Sequence, residues 1–251
     1  MNPAPGAGFS VDGGVLRDYA DASFMMETIY TDYRSPDIRG SLHAVPKGFA
    51  RAKEDVVNVW VKPIRLLENL TPQARDRNRS TQLTKNDPSV DLLSEAYDGW
   101  GMVRLADGTV GWVEMKRLER VDHPTRPHEV LLTSKEFEER YLGVPYLHGG
   151  TTREGIDCSG LTSRYFSHVR GMTIPRHSTD QWKAGRSLRD DEREPGDLLN
   201  LRHREKTTDH VGLLLADGKV FHACLFHSGV VIESLQEVLK CYDLLGTTRL
   251  S

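Results

Sequence analysis

The chain lacks much of what would commit it to several protein classes. It holds only three cysteines, Cys158, Cys224 and Cys241, in 251 residues. An odd number at irregular spacing makes no disulfide framework and fits a reducing compartment. Long apolar runs are absent: the longest, Val211 to Ala216, contains a glycine and is far too short to span a bilayer. No charge of either sign dominates, and a net charge of −3 gives no reason to expect nucleic acid or an anionic membrane as partner. The opening stretch, MNPAPGAGFSVDGG, has neither the basic start nor the apolar core of a secretory leader. The expected location is therefore cytoplasmic, or exported if a leader has been removed. No internal repeat is visible. A composition of 38% hydrophobic and 27% charged residues is ordinary for a globular protein, and the length suits one large or two modest domains.

Residues 1–51 read as an N-terminal extension. The first fourteen are rich in Gly, Pro and Ala, and apolar positions from Val15 to Tyr30 fit one face of a helix. From Glu54 the pattern changes to short β-rich segments. Strands are expected at Val56–Val61, Val90–Glu95, Gly99–Leu105 and Thr109–Val113, with a polar insert at Arg75–Ser80 and a hairpin turn at Asp107-Gly108. This is the pattern of a small all-β barrel over residues 52–120. Residues 121–130, holding Pro124 and Pro127, read as a linker. Residues 131–251 read as α+β. Helices are expected after the Thr133 cap, from Cys158 to Gly171, and over Pro175–Gln181. Strands follow at 198–201, 210–215, 220–223 and 230–233.

Cys158 stands at the first turn of its helix, where free N–H groups and the dipole favour a thiolate. That makes it a candidate nucleophile, although an isolated cysteine is more often buried and inert. The decision rests on a base. His210 opens one apolar strand and His222 lies in the next. A two-residue turn at Asp217-Gly218 would face the two rings apart. A three-residue loop from Ala216 to Gly218 pairs Leu215 with Lys219 and sets Gly212 opposite His222, which places His210 diagonally on the same face. The expectation is the second register, with Gly218 at positive φ and a His210–His222 pair. His168, His203 and His227 read as surface residues. His222 and Cys224 share a strand face, but no second closely spaced ligand pair supports zinc, so no metal and no cofactor are expected.

Several motifs follow one another in a recognisable order: Tyr141-Leu142-Gly143-Val144-Pro145-Tyr146, Gly149-Gly150, Gly155-Ile156-Asp157-Cys158-Ser159-Gly160, Pro175-Arg176, Gln181, Pro195-Gly196-Asp197-Leu198, His210-Val211-Gly212 and His222-Ala223. Over about residues 131–240 they resemble the NlpC-type cysteine peptidases of bacterial cell-wall metabolism. Asn58-Val59-Trp60 with Pro63, Asp98-Gly99-Trp100, and Gly111-Trp112-Val113 resemble bacterial SH3-like domains. The resemblance implies a papain-like domain, a helix bearing cysteine against an antiparallel sheet, preceded by an SH3-like barrel. It implies Cys158 as nucleophile, His210 as general base and acid, His222 as the orienting third residue, and Tyr146 beside them.

The pairing of the two domains resembles gamma-D-glutamyl-L-diamino acid endopeptidases. That implies cleavage of the bond to diaminopimelate or lysine in a peptidoglycan-derived peptide with a free N-terminal L-Ala, through a thioester. By the same resemblance Asp157 and Ser159 hold the amine, Ser178 belongs to a further subsite, and Tyr97 or Glu95 helps close the amine end. Two positions depart from the family: His148 replaces a usual tryptophan and His177 a common aspartate. His148 is thereby a candidate substrate contact or extra proton donor. Two competing readings remain. One is an amidase or acyltransferase of the same fold on another amide or lipid, which an apolar cleft would favour. The other is a non-catalytic wall-binding protein. The oligomeric state is not legible.

Overall fold

The computed structural model describes residues 44–63, 70–94, 96–126, 131–205 and 209–251. The helix face expected at Val15–Tyr30 and the candidate Glu95 lie outside the described residues.

The N-terminal part is built on seven strands: β1 (Phe49–Ala52), β2 (Val57–Trp60), β3 (Arg79–Leu83), β4 (Val90–Leu92), β5 (Trp100–Arg104), β6 (Val110–Glu114) and β7 (Leu118–Val121). They form one antiparallel sheet in the order β3-β2-β6-β5-β4-β1-β7, with a short helix α1 (Pro72–Asp76) before β3. β-Branched residues at alternate positions aim one way. Val57, Val59, Val90, Val103 and Val113 are each almost wholly buried in one core. β1 starts at Phe49, inside the stretch read as an extension, and β3 and β7 were not legible as strands.

The C-terminal part begins with α2 (Ser134–Tyr141), whose Thr133 and Glu136 form a complete capping box. A two-stranded ribbon, β8 (Thr151–Thr152) with β9 (Gly155–Ile156), leads into α3 (Cys158–Arg170) and α4 (Ser178–Ala184). Five more strands and a short edge strand complete a second sheet: β10 (Arg186–Leu188), β11 (Leu198–His203), β12 (Asp209–Leu214), β13 (Lys219–Cys224), β14 (Gly229–Ser234) and β15 (Tyr242–Arg249). Their order is β10-β15-β11-β12-β13-β14, and α5 (Leu235–Cys241) precedes β15. Both faces of the sheet are covered, so its strands read as nearly unbroken apolar runs. Leu198, Val211, Leu213 and Phe221 pack with α2 and α3, while Leu199, Leu201, Val220 and Val238 form a separate core under α5.

β3 joins the two parts. Arg79 donates to the His148 carbonyl at 2.9 Å, and Gln82 accepts the Thr151 N–H at 3.0 Å. Just beyond β3, the Asp87 carboxylate pairs through both oxygens with Arg164 of α3.

Candidate active site

The head of α3 is held by a small set of buried polar contacts. Asp157 caps the helix, accepting the Gly160 N–H at 2.7 Å on one oxygen and the Gly149 N–H at 2.8 Å on the other. Gly160 is required here, because a Cβ would meet the Gly150 carbonyl at 2.2 Å. Arg176 bonds both Asp157 oxygens at 3.0 Å and the Ser159 hydroxyl at 2.8 Å. Gln181 is fully buried and ties α4 to the Ser159 carbonyl. Cys158 is thus fixed at the first turn, 9% exposed, as expected from its place in the sequence.

The histidine register follows the second alternative. Leu213 pairs with Phe221 and Leu214 with Val220, the Leu215 N–H donates to Lys219, and Gly218 has φ +74°. His210 Nε2 lies 2.8 Å from His222 Nδ1, and both rings are buried. The backbone N–H of Val211 is directed at the Cys158 sulfur, which sets the thiol against the start of β12, beside His210. Tyr242, from β15, stacks on the His210 ring at 4.8 Å. His222 Nε2 is 2.8 Å from Glu233 on β14.

Neither Glu233 nor Tyr242 was singled out in the sequence. Glu233 had one available signal: a carboxylate closing the apolar run Val230 to Ile232. With His222 paired to Val231, it stands diagonal to that histidine on the same face. Tyr242 belongs to a strand for which no reading was made.

The thiolate expected at Cys158 is corrected by burial. Burial pushes the thiol up to about 12, the Asp157 charge adds to the rise, and the Val211 and Ser159 N–H groups oppose it without prevailing. Burial, with His222 adjacent, holds His210 well below the ordinary histidine range. Both shifts favour the neutral thiol and the neutral imidazole at rest, with proton transfer accompanying attack. Alkylation of Cys158 by iodoacetamide is then expected to accelerate continuously to about pH 9. A plateau below neutral pH would contradict this.

The pocket over Cys158 is shared between the two parts. Tyr146, His148, Asp157, Ser159 and Ser178 all line it, so the expected substrate-binding residues are brought together. Val61, Arg77 and Arg79 of the first part also line it. Burial depresses both histidines there, His177 to about 4, with the Arg176 charge helping in each case. Tyr97 is 71% exposed and is not among the residues lining the pocket. Asp157 faces the pocket but is committed inward, its two oxygens already taken by two N–H groups and a guanidinium. A larger cavity of about 660 Å³ lies on the other side of Arg176, between β3 and α3, and contains neither Cys158 nor the histidines.

Residues 143–249 match the family model of the NlpC/P60 family, so this part of the chain is an NlpC/P60 domain. The chain is 36% identical over 111 residues to the gamma-D-glutamyl-L-lysine dipeptidyl-peptidase of Bacillus subtilis (strain 168), covering 43% of this chain and 37% of that one. It is 38% identical over 97 residues to the murein DD-endopeptidase MepS/murein LD-carboxypeptidase of Escherichia coli (strain K12), covering 39% of this chain and 50% of that one. An NlpC/P60 family protein of Bacillus cereus ATCC 10987, solved by crystallography, aligns with a TM-score of 0.42 and 24% identity, over 80% of this chain and 62% of that one. The chain thus spans half or less of the length of the two curated relatives.

Proposed function

We propose that the chain is a cysteine peptidase that hydrolyses peptides derived from peptidoglycan, with Cys158 as nucleophile, His210 as general base and acid, and His222 as its orienting partner. The observation that carries the reading is the buried His210–His222 pair on the strand against which the Cys158 thiol is set at the helix head. The names of the relatives, a gamma-D-glutamyl-L-lysine dipeptidyl-peptidase and a murein endopeptidase, support the substrate class. Residues 52–120 are taken as an SH3-like domain whose Val61, Arg77 and Arg79 wall the cleft.

In the proposed reaction His210 takes the thiol proton as sulfur bonds to the scissile carbonyl carbon. The Cys158 N–H, free of helical bonding at this position, faces the developing oxyanion. Collapse breaks the C–N bond, and His210 returns the proton to the leaving amine. Water, deprotonated by the same ring, then cleaves the thioester and releases the acid.

The bond proposed is that between γ-D-glutamate and the L-diamino acid, next to a free N-terminal L-Ala. The test is cleavage of L-Ala-γ-D-Glu-diaminopimelate beside its N-acetylated form. Preference for the free amine by at least about tenfold, or 1.4 kcal/mol, is expected. Equal cleavage sinks amine recognition. Cleavage of neither, with Cys158 still open to alkylation, favours an amidase or acyltransferase.

A further inference from the structure

The histidine pair does not end at His222. Glu233 places one oxygen 2.8 Å from His222 Nε2 and the other 3.2 Å from Nε2 of the half-exposed His227. His222 has no solvent exposure, so its ring nitrogens depend on protein partners. An ionised carboxylate only accepts hydrogen bonds. Bonded to Glu233, His222 must carry its proton on Nε2. Its Nδ1 is then a lone pair, which obliges His210 to donate from Nε2. The lone pair left on His210 is Nδ1, the nitrogen available to the thiol. We propose that Glu233 is a positioning residue that fixes both tautomers, so that His210 Nδ1 is the base nitrogen.

Without the carboxylate, His222 can carry its proton on Nδ1 and turn His210 into the wrong tautomer. Nothing need leave Glu233 during the reaction. When His210 takes the thiol proton it keeps its Nε2–H on His222, whose ring the carboxylate polarises toward the new positive charge. The kinetic part of this inference rests on the peptidase reading; the tautomer part does not.

The test uses Glu233→Met, which keeps length and removes the acceptor, and Glu233→Gln, which keeps an acceptor oxygen. In the Met variant kcat is expected to fall by at least about tenfold with KM nearly unchanged, and the Gln variant is expected to recover part of the loss. Nitrogen-15 NMR of labelled histidines near pH 7 should show Nε2–H on both rings in the wild-type protein and a mixed population in the Met variant. Wild-type kcat and unchanged tautomers in a folded Met variant would overturn the assignment. If the Met variant does not fold, unaltered spectra and kcat in the Gln variant together with Nδ1–H on wild-type His222 would overturn it. A wild-type chain that cleaves no peptide sinks the peptidase reading instead, and the spectra still decide on Glu233.

Discussion

Replacing Arg176 with alanine is expected to destabilise the protein by about 3–5 kcal/mol, the range for stripping one partner from a buried ion pair. In a chain of this size that is a fall of roughly 6–20 °C in melting temperature. The guanidinium is 3% exposed and bonds Thr81 of β3, the Gly150 carbonyl, the Ser159 hydroxyl and both Asp157 oxygens. It therefore fastens the first sheet to the helix that carries Cys158. Burial alone would push the Asp157 carboxyl up, but the Arg176 charge and hydrogen bonds outweigh it and hold the group below the usual range. In the wild-type protein this ion pair contributes its full stability above about pH 4 and loses it as pH falls through the depressed value. In Arg176→Ala the same carboxyl is buried alone and raised, so the variant regains stability by protonation as pH falls. The gap between the two proteins should widen from about pH 4 to 7 in thermal melts. A gap under about 1 kcal/mol at neutral pH would remove the pair from this role.

An isolated arginine beside a proline carries no sign in the sequence of where its partner lies. The partner is Asp157, 19 residues earlier and beyond the whole of α3, and the third group, Thr81, belongs to a different sheet. β3 was missed for the same reason. Its residues, Arg-Ser-Thr-Gln-Leu, are all buried, yet four are polar because that strand faces the second part of the molecule. Arg79, Thr81 and Gln82 spend their side chains on His148, Arg176 and Thr151. A strand buried against polar loops has no apolar alternation to betray it.

What was legible had a local cause. The α3 start follows from an aspartate cap and its end from Gly171, which adopts φ +64°. The His210–His222 face followed from counting residues across one hairpin, since register fixes every side chain beyond it. The state of Cys158 was not local. The helix head argued for a thiolate, but burial of the whole site pushes the thiol up, and burial is a property of the packed fold.

Cys158→Ala and His210→Ala are each expected to lower kcat on the cleaved peptide by about 10⁴- to 10⁶-fold, and the double variant by no more than either alone. In the proposed reaction the two groups perform one act. Without the sulfur there is nothing for the imidazole to activate; without the imidazole the thiol stays protonated, because burial raises it to about 12. Non-additivity is therefore the sharper result. Each substitution is also expected to leave the fold intact. Cys158→Ala removes one sulfur from the edge of a core held by Phe137, Leu161, Phe166 and Phe221. His210→Ala leaves the β11–β12 ladder, in which His210 pairs with Leu201, to be closed by backbone bonds. Thermal melts and product formation by chromatography measure the two effects separately. Residual activity above about 1% in folded Cys158→Ala would end the nucleophile assignment, and losses that multiply in the double variant would end the claim that thiol and imidazole act as one unit.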